Sequence, residues 1–322
     1  MAPHSGQFYT LGIGRQSAKG TPQTTPLFKL RLTGGIVLPD PQIIDLPETD
    51  SSIQRSKSAK VGQQIGGAIE GLIRADELAF LAYAGLGATG VTGASPYVHT
   101  ATASPAPPYF TLYSAFDGSA LVDRYVDCRV PELVIRGGSG QALGYSASFL
   151  GTTATHGETD PGAPAPSDVD PLTYPDVTVT LGASTADIVT GFELTSNKGG
   201  FPIQGDTGMD VSDIALGRWG VTGFLDVLFE TDQKWRAWLT NSPTGTTTSP
   251  VIFTEDLTIT ASRAAADNEV SMIMAAVELR RVGLAPNPNG EPLSMRYEFS
   301  AQPQPAIADT LSIVCKNLIA AL

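Results

Sequence analysis

The sequence predicts a mainly β protein whose two halves repeat one pattern, with a short α-helix beside the strands of each half. Three observations carry that reading: a turn-rich and weakly charged composition, two internal matches in the same order, and two helical spacings at equivalent places. The 322 residues include 34 glycines and 24 prolines, and charged residues make up 16% against 42% hydrophobic. That charge content lies well below the usual quarter, and frequent Gly, Pro, Ser and Thr punctuate short strands with turns.

The first match joins residues 140–149 (GQALGYSASF) to residues 290–299 (GEPLSMRYEF), pairing Gly140 with Gly290, Leu143 with Leu293 and Phe149 with Phe299. Each follows a strand-like run, residues 132–136 and 277–282, so each pair reads as a hairpin closed by a glycine turn. The second match joins residues 65–73 (IGGAIEGLI) to 221–229 (VTGFLDVLF), with Gly67 on Gly223, Ile69 on Leu225 and Glu70 on Asp226. Two matches in one order, about 150 residues apart, read as a duplicated domain.

Both upstream runs lead into helical spacing. Leu78, Leu81 and Ala82 share one face of residues 76–84, and Trp235, Trp238 and Leu239 share one face of residues 232–239. Asp76 and Asp232 stand where N-cap or first-turn acids belong. Residues 28–32 and 42–46 alternate as half-buried strands, and residues 177–181 and 188–194 play the same parts in the second half. Residues 251–259 and 270–277 add further strands. Residues 151–172 are rich in Gly, Pro, Thr, Ser and Asp and read as a linker. The domains are then 1–150 and 173–322.

Two long polar segments, residues 47–60 and 195–213, leave at equivalent places and read either as surface loops or as arms that reach a neighbouring subunit. Glu48, Asp50, Arg55 and Lys57 on the first, and Lys198, Phe201 and Asp206 on the second, are the candidates for contacts between subunits. The net charge of −12 suits solubility, and equally a surface that DNA slides past without being gripped. Cys128 and Cys315 lie in apolar or alternating runs without a CxxC, and read as buried free thiols. No apolar run reaches a membrane span, and the first residues lack the blocks of a signal peptide, so a cytoplasm is the expected place of folding.

Residues 11–22 (LGIGRQSAKGTP), 99–112 (HTATASPAPPYFTL) and 125–130 (YVDCRV), the last followed by the 132–151 hairpin, together resemble the phage tail tube (major tail) proteins of long-tailed bacteriophages. The resemblance runs loosely through nearly the whole chain; the Pro-rich stretch around 160–171 has no place in the family pattern. It implies two tandem tube-type β-sandwich or barrel domains, each with its flanking helix. It implies a structural virion protein that assembles with itself into stacked rings around a channel for DNA ejection. With two tube-like domains per chain, three chains would complete a pseudo-sixfold ring. The implied partners are further copies, the tape measure protein, the tail terminator and distal tail proteins, and transiting phage DNA, with no membrane. The location is the virion tail, assembled in the host cytoplasm, and the low charge favours a siphovirus tail without a sheath.

On that reading, Glu70 and Asp226 face the lumen as a band of six carboxylates in a trimer, or else sit on an outer or inter-subunit face paired to Arg74 or Arg218. The stretch from Gly12 to Pro26, with Arg15, Gln16 and Thr21, is an extended strap that joins neighbours. The competing class is a β-rich surface-binding or decoration module, which has no need of matched arms and helices. Against an enzyme stand the missing Gly-x-Ser-x-Gly, Walker and His-Glu-x-x-His patterns and the wide spacing of His4, His99 and His156. No cofactor and no metal is expected.

Overall fold

The computed structural model describes residues 9–24, 28–46, 57–116, 121–159, 167–182, 184–185, 188–205, 208–263, 267–285, 292–303, 310–320 and 322. The first half runs β1 (Thr10–Arg15), β2 (Phe28–Leu30), β3 (Gly34–Gly35), β4 (Leu38–Asp45), β5 (Ser58–Leu72), α1 (Ala75–Leu86), β6 (Gly87–Thr92), β7 (Tyr97–Ala103), β8 (Phe110–Phe116), β9 (Leu121–Gly138), β10 (Gly144–Gly151) and β11 (Thr153–His156). The second runs β12 (Val177–Leu181), β13 (Ser184–Thr185), β14 (Val189–Asn197), β15 (Gly200–Gln204), β16 (Val211–Leu216), β17 (Gly220–Leu228), α2 (Gln233–Thr240), β18 (Thr254–Ser262), β19 (Glu269–Ala285), β20 (Ser294–Ala301) and β21 (Ser312–Asn317).

One antiparallel sheet spans both halves in the order β4–β5–β10–β9–β14–β17–β20–β19. β3 lies along β5 beyond the start of β4. A second layer is built from β2–β1–β8–β9–β11 in the first half and from β12–β18–β19–β21–β7–β6 in the second. β9 and β19 serve both layers, and each changes partners at register shifts, where an extra residue bends a strand.

Alternation decides which side chains enter the core. Ile65, Ile69, Leu133, Ile135, Tyr145 and Phe149 point inward from the first half of the long sheet, and Leu11, Ile13, Leu112 and Tyr125 meet them from the second layer. Leu225, Val227, Tyr297 and Phe299 have the same part in the second half, opposed by Val179, Leu181, Leu257 and Met274. All twelve residues of α1 are buried, because β21 and β7 cover the side that the β9 layer leaves open.

The register of the two halves recurs at the matched residues. Glu70 pairs with Ser146, and Asp226 with Arg296. Ser148 pairs with Glu132 and Glu298 with Arg281, each followed by a register shift at the next step. Leu112 pairs with Tyr125 and Leu257 with Met274, again just past a shift. Gly67 and Gly223 are both close approaches: a Cβ on Gly67 would lie 2.1 Å from the Ile36 carbonyl oxygen, and one on Gly223 would lie 2.2 Å from that of Glu193.

Several expectations are corrected. By its pairing with β18, residues 177–181 correspond to β1 on β8, not to residues 28–32. Residues 188–194 correspond to the β3–β4 edge along β5, not to residues 42–46. The strand expected at 251–259 begins at Thr254. Part of the expected strap is a core strand, since residues 12–15 belong to β1 and Ile13 is fully buried. The expected linker includes β11, and its Leu172 is buried, with backbone bonds to Leu143 and Ile73. Asp76 sits in the first turn of α1 and accepts from the Glu77 amide, and Asp232 precedes α2 but spends its carboxylate on Arg236 at 2.6 Å.

Candidate functional site: an exposed sheet face and two free edges

The side chains that alternate with the core residues line the outer face of the long sheet. Register places Glu193 opposite both Arg136 and Phe224, and Glu298 opposite both Phe224 and Arg281. Glu70 lies 3.4 Å from Arg136, and Asp226 accepts two hydrogen bonds of 2.7 Å from Arg296. Arg74 and Arg218 are not their partners: Arg74 is buried, donating to the Val169 carbonyl and facing Glu77. The Arg296 guanidinium also lies 3.9 Å from the Phe224 ring centre, a cation–π contact. Its hydrogen bonds to Asp226 raise the Arg296 pKa further. Arg281 lies 3.8 Å from Glu298. The face is therefore a mosaic in which each of these arginines is held by a carboxylate.

Between the halves the face dips into a depression of about 430 Å³, bordered by Glu70, Arg136, Glu193 and Asp226. Glycines form its floor. A Cβ on Gly71 would meet the Tyr145 hydroxyl at 2.4 Å, and one on Gly137 would meet Leu143 at 2.5 Å. Tyr145 is buried beneath, and burial pushes its phenol well above the ordinary range.

The edges of the sheet differ from its middle. Within the chain, β14 takes the outer edge of β9 in register from Gly191 on Gly138 to Asn197 on Glu132. Among the described residues, the corresponding edge of residues 279–285 in β19 carries no strand, and the outer edge of β4 carries none. Apolar side chains stand exposed near both ends: Leu38, Ile43, Ile44 and Val61 on the β4–β5 hairpin, and Leu239 in α2 with Val251 and Ile252 after it. Unpaired edges and clustered exposed apolar residues are how a chain presents itself to a partner.

The arms take different positions. β15 and β16 form a hairpin that folds onto the chain's own first half. There the Gln63 amide donates to the Met209 carbonyl at 2.7 Å, and Asp213 pairs with Lys19 at 2.7 Å. Lys198, expected on an exposed arm, is instead buried at its root and donates to the Leu86 carbonyl at 2.7 Å. Burial, aided by Arg129, lowers its pKa to about 8. Phe201 stays exposed on the hairpin, and Lys57 is exposed at the root of the first arm. Glu48, Asp50, Arg55 and Asp206 lie outside the described residues.

Around the N-terminal segment, Arg15 reaches over the Tyr83 ring at 5.3 Å, and buried Gln16 bonds Thr111 at 3.0 Å. Thr21 closes a turn on the Ala18 carbonyl, while the Gly20 amide donates to Asp127 at 2.7 Å. These bonds tie the segment to its own chain. His99 is buried with Nε2 at 2.6 Å from the Ile319 carbonyl, and His156 faces Asp123 at 3.0 Å. Among the described residues, no three His, Cys, Asp or Glu side chains converge as metal ligands.

The family model described as phage tail tube protein matches residues 10–303, which spans both halves. The chain belongs to the phage tail tube protein family. No curated protein matches it. As a tail tube protein it is a structural component of a phage virion tail, and the family assembles into a tube with other tail proteins. The functional surfaces of a tube protein are the faces and edges that copies share and the face they enclose. The repeat singles out Glu70 and Asp226 in the sequence but not their ion-pair partners Arg136 and Arg296, whose proximity depends on cross-strand register. The only signal was that Ser146 and Arg296 occupy matched positions in the 140–149 and 290–299 repeat.

Proposed function

We propose that the chain comprises two tandem tube-type domains, joined near residues 151–172, and that three copies close into a pseudo-sixfold ring. Edge pairing would join the eight strands of each copy into one continuous barrel. The observation that carries this reading is the β9–β14 pairing, which joins the two halves while, among the described residues, no strand covers the matching edges of β19 and β4. The recurring register supports the duplication. A heterologous contact that repeats by rotation closes a ring, and closure removes the unpaired edges.

The internal junction also supplies a register for the external one. Asn197 lies opposite Glu132, and its amide donates to that carboxylate at 2.5 Å. The matched positions are Asp40 and Arg281, so the ring would set Asp40 of one copy opposite Arg281 of the next. Opposite charges meet at that contact. The exposed sheet face would line the channel, with Glu70 and Asp226 in the wall. There the carboxylates restrain Arg136, Arg281 and Arg296, which would otherwise bind phosphate, and so weaken the grip of the wall on passing DNA. Stacked rings, with the β4–β5 arms as axial or lateral contacts, would form the tube through which the genome leaves. The tape measure, terminator and distal tail proteins are the proposed axial partners.

A charge exchange tests the junction. Asp40→Arg and Arg281→Asp should each prevent ring formation in light scattering and electron microscopy, and the double exchange should restore it. Rings from both single variants would sink this register.

A further inference from the structure

In the first half, the segment after the helix is a strand borrowed by the second half. β7 pairs with β21 in register from Ser312 on Thr102 to Asn317 on Tyr97, beside α1. The second half has a matching segment that, among the described residues, no strand receives. The Ser104 amide donates to the carbonyl of Leu86 at the end of α1, at 2.8 Å, and the Ser249 amide donates to that of Leu239 near the end of α2, at 3.1 Å. The Ala106 amide donates to the Ser104 hydroxyl at 3.2 Å, and the Val251 amide to the Ser249 hydroxyl at 3.1 Å. Both serines precede a proline, Pro105 and Pro250. Ser249 therefore stands where Ser104 stands, and residues 244–248 (TGTTT) stand where the end of β7 stands.

Residues 244–248 nevertheless form no strand, and Thr246, Thr247 and Thr248 are exposed, although three successive β-branched residues favour extended chain. The explanation lies in the partner strand. β7 has β21 to pair with, and the first-half element in the position of β21 is β11. β11 bonds β9 in register from Thr153 on Val126 to His156 on Asp123 and, among the described residues, bonds no other strand. β21 is reached by β7 of the half that precedes it in the chain, so by the repeat β11 would be reached by the half that precedes the first, which in the ring is the second half of a neighbouring copy.

We infer that residues 244–248 are a strand that forms only on β11 of the next copy, with Thr247 opposite that copy's Thr155. The register follows from the internal pair. Ser312 lies opposite Ile273, one step before Met274, as Thr155 lies opposite Arg124, one step before Tyr125. Ser312 in turn faces Thr102, two residues before Ser104, as Thr247 is two residues before Ser249. The joint is strand addition at an exposed edge, in which backbone bonds supply affinity and fix the register. It would also cover α2, of which only Ala237 is buried, as β7 and β21 cover α1. The inference rests on the ring reading and adds a second seam, in the outer layer, to the seam between β19 and β4.

Paired cysteines separate the two seams. Opposed residues of antiparallel strands lie within disulfide reach. The native Cys128 and Cys315 are fully buried and their thiols are pushed far up by burial, so they stay out of the reaction. Chains carrying Thr155→Cys with Thr247→Cys should give covalent multimers on oxidation, absent from either single variant. The same holds for Asp40→Cys with Arg281→Cys at the inner seam. Cross-linking at the inner pair alone would overturn the outer strand and leave the ring intact. Cross-linking at neither would overturn the ring and this inference together. Cross-linking at both carries the inference, and slowed amide exchange over residues 244–248 in tubes relative to free chains confirms a strand.

Discussion

Asp226 and Arg296 face each other across β17 and β20 and are joined by two parallel hydrogen bonds of 2.7 Å. The fork geometry matches guanidinium to carboxylate, and the same geometry matches guanidinium to phosphate. On the proposed reading, in which this face lines the channel, the carboxylate occupies the place that a DNA phosphate would otherwise take. Asp226→Asn should fold and assemble, because an exposed pair of this kind contributes about 1 kcal/mol or less. Its tubes should retain DNA fragments more strongly at low salt, with the difference vanishing as salt rises. A filter-binding titration across salt concentrations reads both.

Glu77 sets an acid-side preference in stability. It is fully buried at the start of α1, 3.7 Å from Arg74, and burial raises its pKa to about 7, Arg74 opposing and Asp76 adding. The folded state thus holds a proton on Glu77 that the unfolded chain releases near its ordinary, lower pKa. Stability from this group is fully present below the unfolded value and is lost as pH rises through about 7. Glu77→Gln should remove that loss, flattening melting temperature between pH 5 and pH 8. An unchanged slope in the variant would assign the effect elsewhere.

Gly67 and Gly223 should fail alike. An added methyl at either would press on a backbone carbonyl, that of Ile36 or Glu193, which a sheet cannot move aside cheaply. Gly67→Ala and Gly223→Ala are each expected to cost about 1–3 kcal/mol or more in denaturant unfolding. Gly140→Ala should cost less: it meets open space, and only its left-handed φ of 78° resists a side chain.

The two matched phenylalanines should also behave as a pair. Phe149 and Phe299 are buried at corresponding register positions, 1% and 2% exposed. Truncation to alanine at either should cost about 3–5 kcal/mol. Similar losses would fit two cores of equal standing.

The strands that carried the repeat were legible because their periodicity and their glycines are local. Tyr145, Ala147 and Phe149 alternate inward, and Gly67 and Gly223 mark the same crowded backbone. The first strands were misassigned for the opposite reason. Residues 28–32 and 10–15 both alternate, and only the partner strand, β8, shows that Leu11 and Ile13 match Val179 and Leu181. Helical spacing located α1 but implied one buried face, whereas cover from β21, distant in sequence, buries the whole helix. Ion-pair partners such as Arg136 for Glu70 were beyond reach, because register brings them together over long stretches of chain. The arms divided in the same way. The β15–β16 hairpin falls in the polar 195–213 segment, while the burial of Lys198, which donates to the Leu86 carbonyl, depends on a fold-back that polarity does not encode. Residues 47–56 of the first segment lie outside the described residues.

The most direct test of the account is an electron cryo-microscopy reconstruction of tubes assembled from the purified chain. The account predicts three chains per ring, six similar lobes, and β4 of one copy hydrogen-bonded to β19 of the next with Asp40 opposite Arg281. Six chains per ring, or a wall in which β19 and β4 meet other strands, would contradict it.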